Sequence, residues 1–197
     1  MSAYTWPPDP SAAPRVTSAA AEQVESAVLV PLYRDGDLTH LVLTRRRSDL
    51  RRHAGEISFP GGRRDAADTD LTATALREAE EEIGLPRPRV QLIGELPATS
   101  TFATNYLIHP FVATIPAGVA WELSPKEVDA VLELPLDEIR AGRTITTLER
   151  RGITFQTDAY VVDDHLIWGA TARIVEHLLA RLADEPGQAL ALRADAS

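Results

Sequence analysis

The first half of the chain alternates short apolar runs with residues that favour turns. Two β-branched runs, residues 26–33 and 38–45, flank Arg34-Asp35-Gly36-Asp37, a combination typical of a β-hairpin. Proline and glycine mark the boundaries further along. The pattern therefore predicts, in order, two strands joined by a hairpin turn, a loop over residues 48–55, a short strand over 56–59 and a turn at residues 60–62.

A helical period follows this turn. Between residues 70 and 83, apolar residues recur at three- or four-residue spacing, which places them on one side of a helix. Gly84 is expected to end the helix in a left-handed conformation, and Pro86 cannot continue it. The apolar stripe consists of Leu71, Ala75, Leu76, Ala79 and Ile83.

The second half of the chain continues the mixture of strands and helices, which indicates an α/β fold with a mixed sheet covered on both sides. Its last helix has an apolar stripe formed by Ala172, Val175, Leu178, Leu179 and Leu182. The predicted elements are strands over 90–96, 107–115 and 130–134, a short helix over 136–141, weaker strands over 153–156 and 159–162, a turn at Asp163-Asp164, and a helix over 169–184.

The two ends of the chain lack such periods. Residues 1–22 contain four prolines and many small residues, and residues 186–197 are rich in alanine. Neither segment has an apolar face that could dock onto a core, so both are predicted to be flexible tails. The predicted organisation is one folded domain over residues 23–185 between these tails.

Four carboxylates fall within five consecutive residues of the first predicted helix. Glu78, Glu81 and Glu82 stand at i, i+3 and i+4 and therefore share one face, whereas Glu80 points elsewhere. Like charges at this spacing destabilise an isolated helix by roughly 0.2–0.5 kcal/mol per pair, and a bound divalent cation would reverse that effect. Taken alone, the run is also compatible with a solvated acidic helix face, so its context decides between the two interpretations.

Length and composition exclude several classes of protein. A chain of 197 residues with 44% apolar and 25% charged residues is typical of one globular domain. No apolar run reaches the roughly 18 residues of a membrane helix, and the N-terminus lacks the pattern of a signal peptide. The absence of cysteine excludes disulfides and a cysteine nucleophile. We therefore expect a cytoplasmic protein that does not enter membranes.

Charge is distributed unevenly along the chain. The net charge of −9 argues against nucleic acid as a partner. Residues 45–64, in contrast, contain seven arginines and two acidic residues, a local net charge of +5. This segment is either a solvated basic loop or the place where an anionic ligand is held, and the glycines and acidic helix that follow favour the ligand.

Residues 58–85 supply the context that the acidic run needs. They read SFPGGRRDAADTDLTATALREAEEEIGL, which resembles the signature of the Nudix hydrolase family, G-x5-E-x7-R-E-U-x-E-E-x-G-U, with U a bulky apolar residue. Ala79 stands at the first U position, where the signature has a bulkier apolar residue. The rest of the second half matches in register, at Arg77, Glu78, Glu81, Glu82, Gly84 and Leu85.

The first half of the signature departs by one residue. Counted forward from Gly62, the expected glutamate falls on Asp68, and counted back from Arg77 it falls on Thr69. A one-residue insertion explains the difference and makes Asp68 the expected substitute. Arg77 would then pair with Asp68 and orient the helix.

A second motif upstream narrows the resemblance. Residues 43–62 read LTRRRSDLRRHAGEISFPGG, which is similar to the signature of the coenzyme A diphosphatase branch, L-L-T-x-R-[SA]-x3-R-x3-G-x3-F-P-G-G. Val42 replaces the first leucine, and Arg47 replaces the small residue. The other positions match in register, at Leu43, Thr44, Arg46, Arg51, Gly55, Phe59, Pro60, Gly61 and Gly62.

The resemblance implies an α/β/α sandwich and a hydrolase for the diphosphate bond of coenzyme A or its derivatives. Such an enzyme would release 4′-phosphopantetheine and adenosine 3′,5′-bisphosphate, and its implied cofactor is Mg²⁺ or Mn²⁺. The implied site residues are Glu78, Glu81 and Glu82 as metal ligands, Glu81, Glu82 or Glu127 as the general base, and Arg46, Arg51, Gly61 and Gly62 as substrate-binding residues.

Two other functions are compatible with the same residues. The chemistry could act on another nucleoside diphosphate derivative, such as ADP-ribose or NADH. A non-catalytic regulator could also bind nucleotides on this fold, although it would have less need of three clustered carboxylates. In each case the partner is a small molecule, and the sequence indicates no particular oligomeric state.

Overall fold

The computed structural model of the chain describes residues 23–47, 55–101, 105–150 and 152–184. The predicted tails, residues 1–22 and 186–197, lie outside these ranges, as do residues 48–54 of the predicted loop. Within the described ranges no helix is both long and apolar enough to cross a bilayer.

The described residues form strands and helices in an order close to the predicted one. A single 3₁₀ turn at Arg87–Arg89 separates the first helix from the strand that follows it. The elements are β1 (Val24–Asp35), β2 (Leu38–Arg46), β3 (Ile57–Ser58), β4 (Gly61–Arg63), α1 (Leu71–Ile83), β5 (Gln91–Glu95), β6 (Thr99–Ser100), β7 (Tyr106–Thr114), β8 (Val128–Pro135), α2 (Leu136–Ala141), β9 (Arg143–Arg150), β10 (Ile153–Val162), β11 (His165–Trp168) and α3 (Gly169–Asp184).

The larger sheet is mixed because its central strands run both ways. β1 pairs in parallel with β7, with Val24 opposite Tyr106 and Leu32 opposite Thr114, and antiparallel with β2 beside the hairpin. Beyond the hairpin, β1 and β2 separate, and β4 pairs with β1 while β3 pairs with β2. β8 extends the sheet on the far side of β2, and β5 and β6 pair with β7. Residues 57–63 are thereby brought between the two hairpin strands.

The predicted hairpin turn and the predicted end of α1 are confirmed. Gly36 in the hairpin turn has a φ of 57°, a left-handed conformation that glycine adopts without strain. Helix α1 begins after Asp70, whose side chain accepts a hydrogen bond from the Ala73 amide at 2.7 Å. It ends at Gly84, which has a φ of 67° and donates its amide hydrogen to the Glu80 carbonyl at 3.0 Å.

The larger sheet is covered on both faces, as predicted. Successive side chains of β1 point to opposite faces, and both sets are fully buried: Ala27 and Leu29 belong to the cluster with α1, and Val30 and Leu32 to the cluster with α3. This is why β1 reads as an almost continuous apolar run. The helices contribute the predicted stripes, with Ala75, Ala79 and Ile83 of α1 on one face and Ala172, Val175, Leu178 and Leu182 of α3 on the other.

A separate three-stranded sheet differs from the prediction. Residues 153–162 form the single strand β10 rather than two weak strands, and it is flanked by β9 and β11, which were not predicted. The sequence of β9, RTITTLER, is polar and largely exposed, so neither of its faces shows an apolar period. Its strand conformation depends on pairing with β10, which local sequence does not reveal.

The predicted turn is confirmed at Pro60, where the chain bends and reverses direction between β3 and β4, but the two glycines that follow already lie in a strand. Gly61 and Gly62 belong to β4 and lie opposite Val28 and Ala27 of β1. A Cβ atom on Gly61 would lie 2.4 Å from the Ala27 carbonyl oxygen and 2.6 Å from Val28 Cγ1, far too close for a real contact. The absence of a side chain at Gly61 therefore allows β4 to pack closely against β1 directly after the turn.

Gly61→Ala is expected to destabilise the fold, because its methyl group would meet the β1 backbone at the centre of the sheet. We expect the free energy of unfolding, measured by urea titration, to fall by at least about 3 kcal/mol. Gly62→Ala is the matched control, because the three atoms nearest to its methyl group belong to the end of the Glu78 side chain, which can turn away. Equal losses for the two variants would contradict this account of Gly61.

Candidate active site

Helix α1 packs across β1 and β4, so that its acidic residues face the two glycines. Glu82 is buried, with 3% of its surface exposed, and its Oε2 accepts a hydrogen bond from the Gly61 amide at 3.2 Å. Glu78 lies beside Gly62, where a Cβ atom would come within 2.3 Å of Glu78 Oε1. Glu81 is the outer member, with 60% of its side chain exposed. Gly62 thus leaves the space that the Glu78 carboxyl group occupies, and Gly61 contributes its amide to Glu82.

The guanidinium group of Arg77 connects the acidic face to the loop before α1. Its Nη1 donates to Glu78 Oε1 at 2.9 Å and to Glu81 Oε2 at 3.1 Å. Its Nε and Nη2 donate to the two carboxylate oxygens of Asp68, both at 3.0 Å, the two-pronged geometry that suits a guanidinium group. Nη2 also donates to the Arg63 carbonyl at 3.1 Å. The predicted pairing of Arg77 with Asp68 is confirmed.

Asp68, rather than Thr69, takes the place of the glutamate in the first half of the signature. Its side chain is buried and also accepts hydrogen bonds from the Asp65 amide at 2.8 Å and the Thr74 hydroxyl at 2.9 Å. Thr69 is exposed. The Arg77 hydrogen bonds above all hold the pKa of Asp68 well below its usual range, although burial opposes the shift. Relative to the signature, the one-residue insertion therefore lies between Asp68 and Arg77.

The two inner carboxyl groups lie where a negative charge is poorly solvated. Burial raises the pKa of Glu82 to about 8; the Gly61 amide and Arg46 oppose this shift, and the charges of Glu78 and Glu127 add to it. Burial is also the main reason why the pKa of Glu78 is raised. A nearby cation would reverse both shifts, because positive charge lowers the pKa of a carboxyl group.

Arg46 and Glu127 approach the inner carboxyl groups from β2 and from the turn before β8. Arg46 Nη1 lies 3.8 Å from Glu82 Oε1. Glu127 is near enough for its charge to raise the pKa of both Glu78 and Glu82. Its carbonyl oxygen accepts a hydrogen bond from the Arg47 amide at 3.1 Å, which ties this turn to the end of β2. These two residues, far from α1 in sequence, therefore border the acidic face.

Glu80 is separated from this group, as its position on the helix predicted. Its Oε2 accepts a hydrogen bond from Arg87 Nε at 3.1 Å on the exposed surface. Arg51 lies outside the described residues. The predicted site residues that the structure brings together are Arg46, Gly61, Gly62, Glu78, Glu81, Glu82 and Glu127.

Thr74 contributes to the site and was missed by the sequence analysis. It is fully buried in α1, and its hydroxyl donates to Asp68 Oδ2 at 2.9 Å. Because Thr74 and Arg77 are three residues apart, they share a helix face and hold the same carboxylate from two sides. The available signal was a hydroxyl side chain between the apolar positions Leu71 and Ala75.

The chemistry of these side chains suits a hard divalent cation, since carboxylate oxygens are the ligands that Mg²⁺ and Mn²⁺ prefer. Among the described residues, however, no group of three acidic, histidine or cysteine side chains is placed so that all three could hold one ion. The arrangement fits an ion such as Mg²⁺, which keeps several waters and shares few carboxylates with substrate phosphates. The assignment of Glu78, Glu81 and Glu82 as ligands stays a prediction.

Comparison with known proteins agrees with this geometry. A family profile described as the NUDIX domain matches residues 24–153. The chain belongs to the Nudix hydrolase family. It is 41% identical over 155 residues to NudL of Photorhabdus laumondii, described as an uncharacterized Nudix hydrolase, across 78% of this chain and 82% of that protein. A NudL of Salmonella heidelberg is 37% identical over 175 residues, which cover 88% of this chain and 90% of that relative.

Solved structures share the fold of this Nudix hydrolase. A MutT/nudix family protein from Enterococcus faecalis matches with a TM-score of 0.62 at 15% identity, covering 91% of this chain and 71% of the other. A C. elegans Ap4A hydrolase in a binary complex matches with a TM-score of 0.56 at 15% identity, covering 82% and 98%. The NUDIX domain of Shewanella oneidensis NrtR, complexed with ADP ribose, has a TM-score of 0.55 at 16% identity, covering 88% and 93%. These matches confirm the Nudix α/β architecture, and the family makes the chain an enzyme that acts on diphosphate bonds.

Asp68→Asn should destabilise this Nudix domain, because Arg77 would lose its charged partner beneath the acidic face. We expect the free energy of unfolding at pH 7 to fall by roughly 3 kcal/mol in chemical denaturation. Asp70→Asn is the control, since it makes the same chemical change two residues away, where asparagine caps a helix about as well as aspartate. An equal fall in the free energy of unfolding of both variants would show that the ion pair between Arg77 and Asp68 does not contribute the expected stability.

The effect of Asp68→Asn should also depend on pH. The pKa of Asp68 is lowered in the folded state, so the ion pair contributes stability above the unfolded pKa of about 4, and this contribution is lost as the pH falls toward the folded pKa. The difference in unfolding free energy between wild type and variant should be constant from about pH 5 to 8 and shrink below about pH 4. If the difference in unfolding free energy grew as the pH was lowered, the lowered pKa of Asp68 would be contradicted.

Proposed function

We propose that this Nudix hydrolase cleaves the diphosphate bond of coenzyme A or one of its derivatives. The observation that carries the proposal is the pair of inner carboxyl groups of Glu78 and Glu82, which lie against β4 with Arg46 3.8 Å from Glu82. The choice of coenzyme A is supported by residues 43–62, which are similar to the signature of that branch. The products would be 4′-phosphopantetheine and adenosine 3′,5′-bisphosphate.

Glu78, Glu81 and Glu82 are the residues that would hold Mg²⁺ or Mn²⁺. A bound ion of this kind neutralises phosphoryl oxygens and lowers the pKa of water. Arg77 restrains Glu78 and Glu81 through its hydrogen bonds, so these carboxylates are oriented in the free protein. Glu82 is fixed by the Gly61 amide. The chain therefore presents an arranged set of oxygen donors rather than flexible surface glutamates.

Three glutamates are candidates for the general base that accepts a proton from the attacking water. Glu81 and Glu127 are exposed and have access to solvent, whereas Glu82 is buried and bonded to β4. Access to water favours Glu81 or Glu127 as the general base. Glu82 is buried, and a bound cation would compensate its poorly solvated charge, so we assign Glu82 to metal binding.

The arginines of the basic segment would bind the phosphates of the substrate. Arg46 borders the inner carboxyl groups, which supports a role for its guanidinium group in binding the diphosphate beside them. Arg51 matches the same signature and is proposed to bind the 3′-phosphate that distinguishes coenzyme A from dephospho-coenzyme A. A guanidinium group suits both tasks, because its planar fork can make two charge-assisted hydrogen bonds to phosphate.

ADP-ribose is the second candidate substrate. The NUDIX domain of Shewanella oneidensis NrtR is complexed with ADP ribose and shares the fold at 16% identity. That likeness concerns the fold alone, and it is weaker support than the signature in residues 43–62. A non-catalytic regulator is disfavoured, because Glu78, Glu81 and Glu82 are all present and clustered on α1.

Glu82→Gln should abolish most of the activity while preserving the fold. Glutamine keeps the shape and the contact with the Gly61 amide but removes a charge that burial disfavours, so thermal stability should stay the same or rise slightly. We expect turnover, measured as phosphomonoester release with Mg²⁺ present and after chelation, to fall by at least about 100-fold.

Glu80→Gln is the matched control for this experiment. It lies on the same helix and makes the same chemical change, but its side chain pairs with Arg87 away from the inner carboxyl groups. Its turnover should be close to that of the wild type. Near-normal turnover of Glu82→Gln at saturating Mg²⁺ would refute the proposed metal face.

The wild type should prefer coenzyme A to dephospho-coenzyme A, and Arg51→Ala should narrow that preference. A lost charge-assisted hydrogen bond of about 1.5–3 kcal/mol corresponds to roughly ten- to hundred-fold in kcat/KM. Turnover of dephospho-coenzyme A should change little, because the acidic face is untouched. Arg52→Ala is the control, since this neighbouring arginine is not part of the signature.

A substrate panel read by mass spectrometry separates the candidates. Equal kcat/KM for coenzyme A and dephospho-coenzyme A, or faster hydrolysis of ADP-ribose than of either, would reject coenzyme A as the substrate. The assignment as a Nudix diphosphatase would stand in both cases.

A further inference from the structure

Strand β9 forms an open edge of the smaller sheet. The strand order is β11-β10-β9, and β9 pairs with β10 along its whole length without a shift of register. In the part of the chain that the structure describes, no strand pairs with the other side of β9, which leaves a regular row of backbone N–H and C=O groups open. Its sequence, RTITTLER, contains no proline, and its charged residues lie only at the two ends, so residues 144–148 form an uncharged stretch of open edge.

The hairpin of β9 and β10 also exposes apolar side chains. Ile145 is 68% exposed and Ile153 is 66% exposed, the two highest values among large apolar side chains in the described ranges. Single exposed apolar residues are common on protein surfaces. The register of β9 and β10 puts these two side chains on opposite faces of the hairpin, and Ile145 is the one that lies on the open strand.

The charges of β9 are complementary to those of a second copy of the same strand. When two β9 strands pair antiparallel with Thr146 opposite Thr146, Arg143 of each copy lies opposite Glu149 of the other, and opposite charges at such positions stabilise a sheet. In the same register the two Ile145 side chains become diagonal neighbours on one face.

The two charged side chains are available for this contact. Glu149 forms no ion pair with any residue that the structure describes. The Arg143 side chain is 57% exposed, and its Nη2 lies 2.8 Å from Glu176 and 3.7 Å from Asp158. Because a guanidinium group carries five N–H donors, Arg143 can donate hydrogen bonds to another carboxylate while it keeps these two partners.

We propose that two copies of this chain form a dimer by antiparallel pairing of their β9 strands about Thr146. Each three-stranded sheet would thereby become half of one continuous sheet. The contact lies on an element that carries none of the proposed active-site residues, so each copy keeps its own acidic face.

Site-specific cross-linking tests the pairing in the full chain, which contains no cysteine. Thr146→Cys would place two thiols opposite each other, and opposing residues of antiparallel strands have Cα atoms about 4.5–5.5 Å apart, within the range of a disulfide. Mild oxidation should therefore convert most of this variant into a covalent dimer on a non-reducing gel.

Thr144→Cys is the matched control, because it makes the same change on the same face of β9. In the proposed register its opposite residue is Leu148, so the two introduced thiols would be four residues apart along the strand, about 13 Å, and should not bond. Cross-linking of both variants to the same extent, or of neither, would overturn the proposal.

Sedimentation velocity provides an independent measurement. Arg143→Glu and Glu149→Arg should each raise the dimer dissociation constant by at least about tenfold. An equimolar mixture of the two should restore the dimer, because every cross-strand pair is then opposite in charge. Glu138→Arg makes the same charge change as Glu149→Arg at an exposed position of α2 and should leave the dissociation constant unchanged.

Circular dichroism shows whether each charge variant is folded. If Arg143→Glu unfolds the chain because its contacts with Glu176 and Asp158 are lost, Glu149→Arg alone is sufficient to test the dimer. A wild type that stays monomeric up to about 100 µM would overturn the proposal. A dimer that Glu149→Arg does not weaken would overturn it as well.

Discussion

The ion pair between Arg77 and Asp68 is the interaction on which the candidate site depends. One guanidinium group binds the loop before α1, two glutamates of the helix and the carbonyl of Arg63 at the end of β4. An isolated helix would be destabilised by the acidic face, since like charges at this spacing repel. Arg77 offsets part of that repulsion, and Asp68 holds the guanidinium group in place to do so. The acidic face is therefore stable only as part of the folded sheet.

Close approach of β4 to both β1 and α1 sets the electrostatic character of the site. Gly61 and Gly62 allow the strand to lie against its neighbours without side chains between them. The same approach removes water from Glu82, which raises the pKa of Glu82 to about 8 and makes its charged form costly in the free protein. Burial of Glu82 therefore lowers the stability of the free protein at the place where the proposed chemistry needs several carboxylates close together.

Local features of the chain could be predicted from its sequence, because their causes lie within a few residues. The hairpin, the limits of α1 and the shared face of Glu78, Glu81 and Glu82 follow from turn residues, capping and helical spacing. β4 could not be predicted, since a pair of glycines signals a turn as readily as a close contact with a distant strand. β9 was missed for a related reason, because a polar strand is defined by its neighbour. β11 is apolar, but its four residues are too few to show a period.

The same distinction applies to the candidate site. Counting residues along the signature, with one insertion, favoured Asp68 over Thr69, and the hydrogen bonds from Arg77, Thr74 and the backbone confirm Asp68. Glu127 and Arg46 reach α1 from elements that are distant in sequence, so their approach depends on the topology of the sheet. Spacing within one helix is visible in a sequence, whereas the meeting of separate elements is not.

The position of β1 constrains how the protein can fold during synthesis. β1 lies at the centre of the main sheet, yet its parallel neighbour β7 begins only at Tyr106. A parallel pair cannot form by a local turn, and contacts between distant residues are slow to form. On the ribosome, β1, β4 and α1 emerge while one long edge of β1 is still unpaired and prone to misassociation. The surroundings of Glu82 therefore become complete only after more than half of the chain has been made.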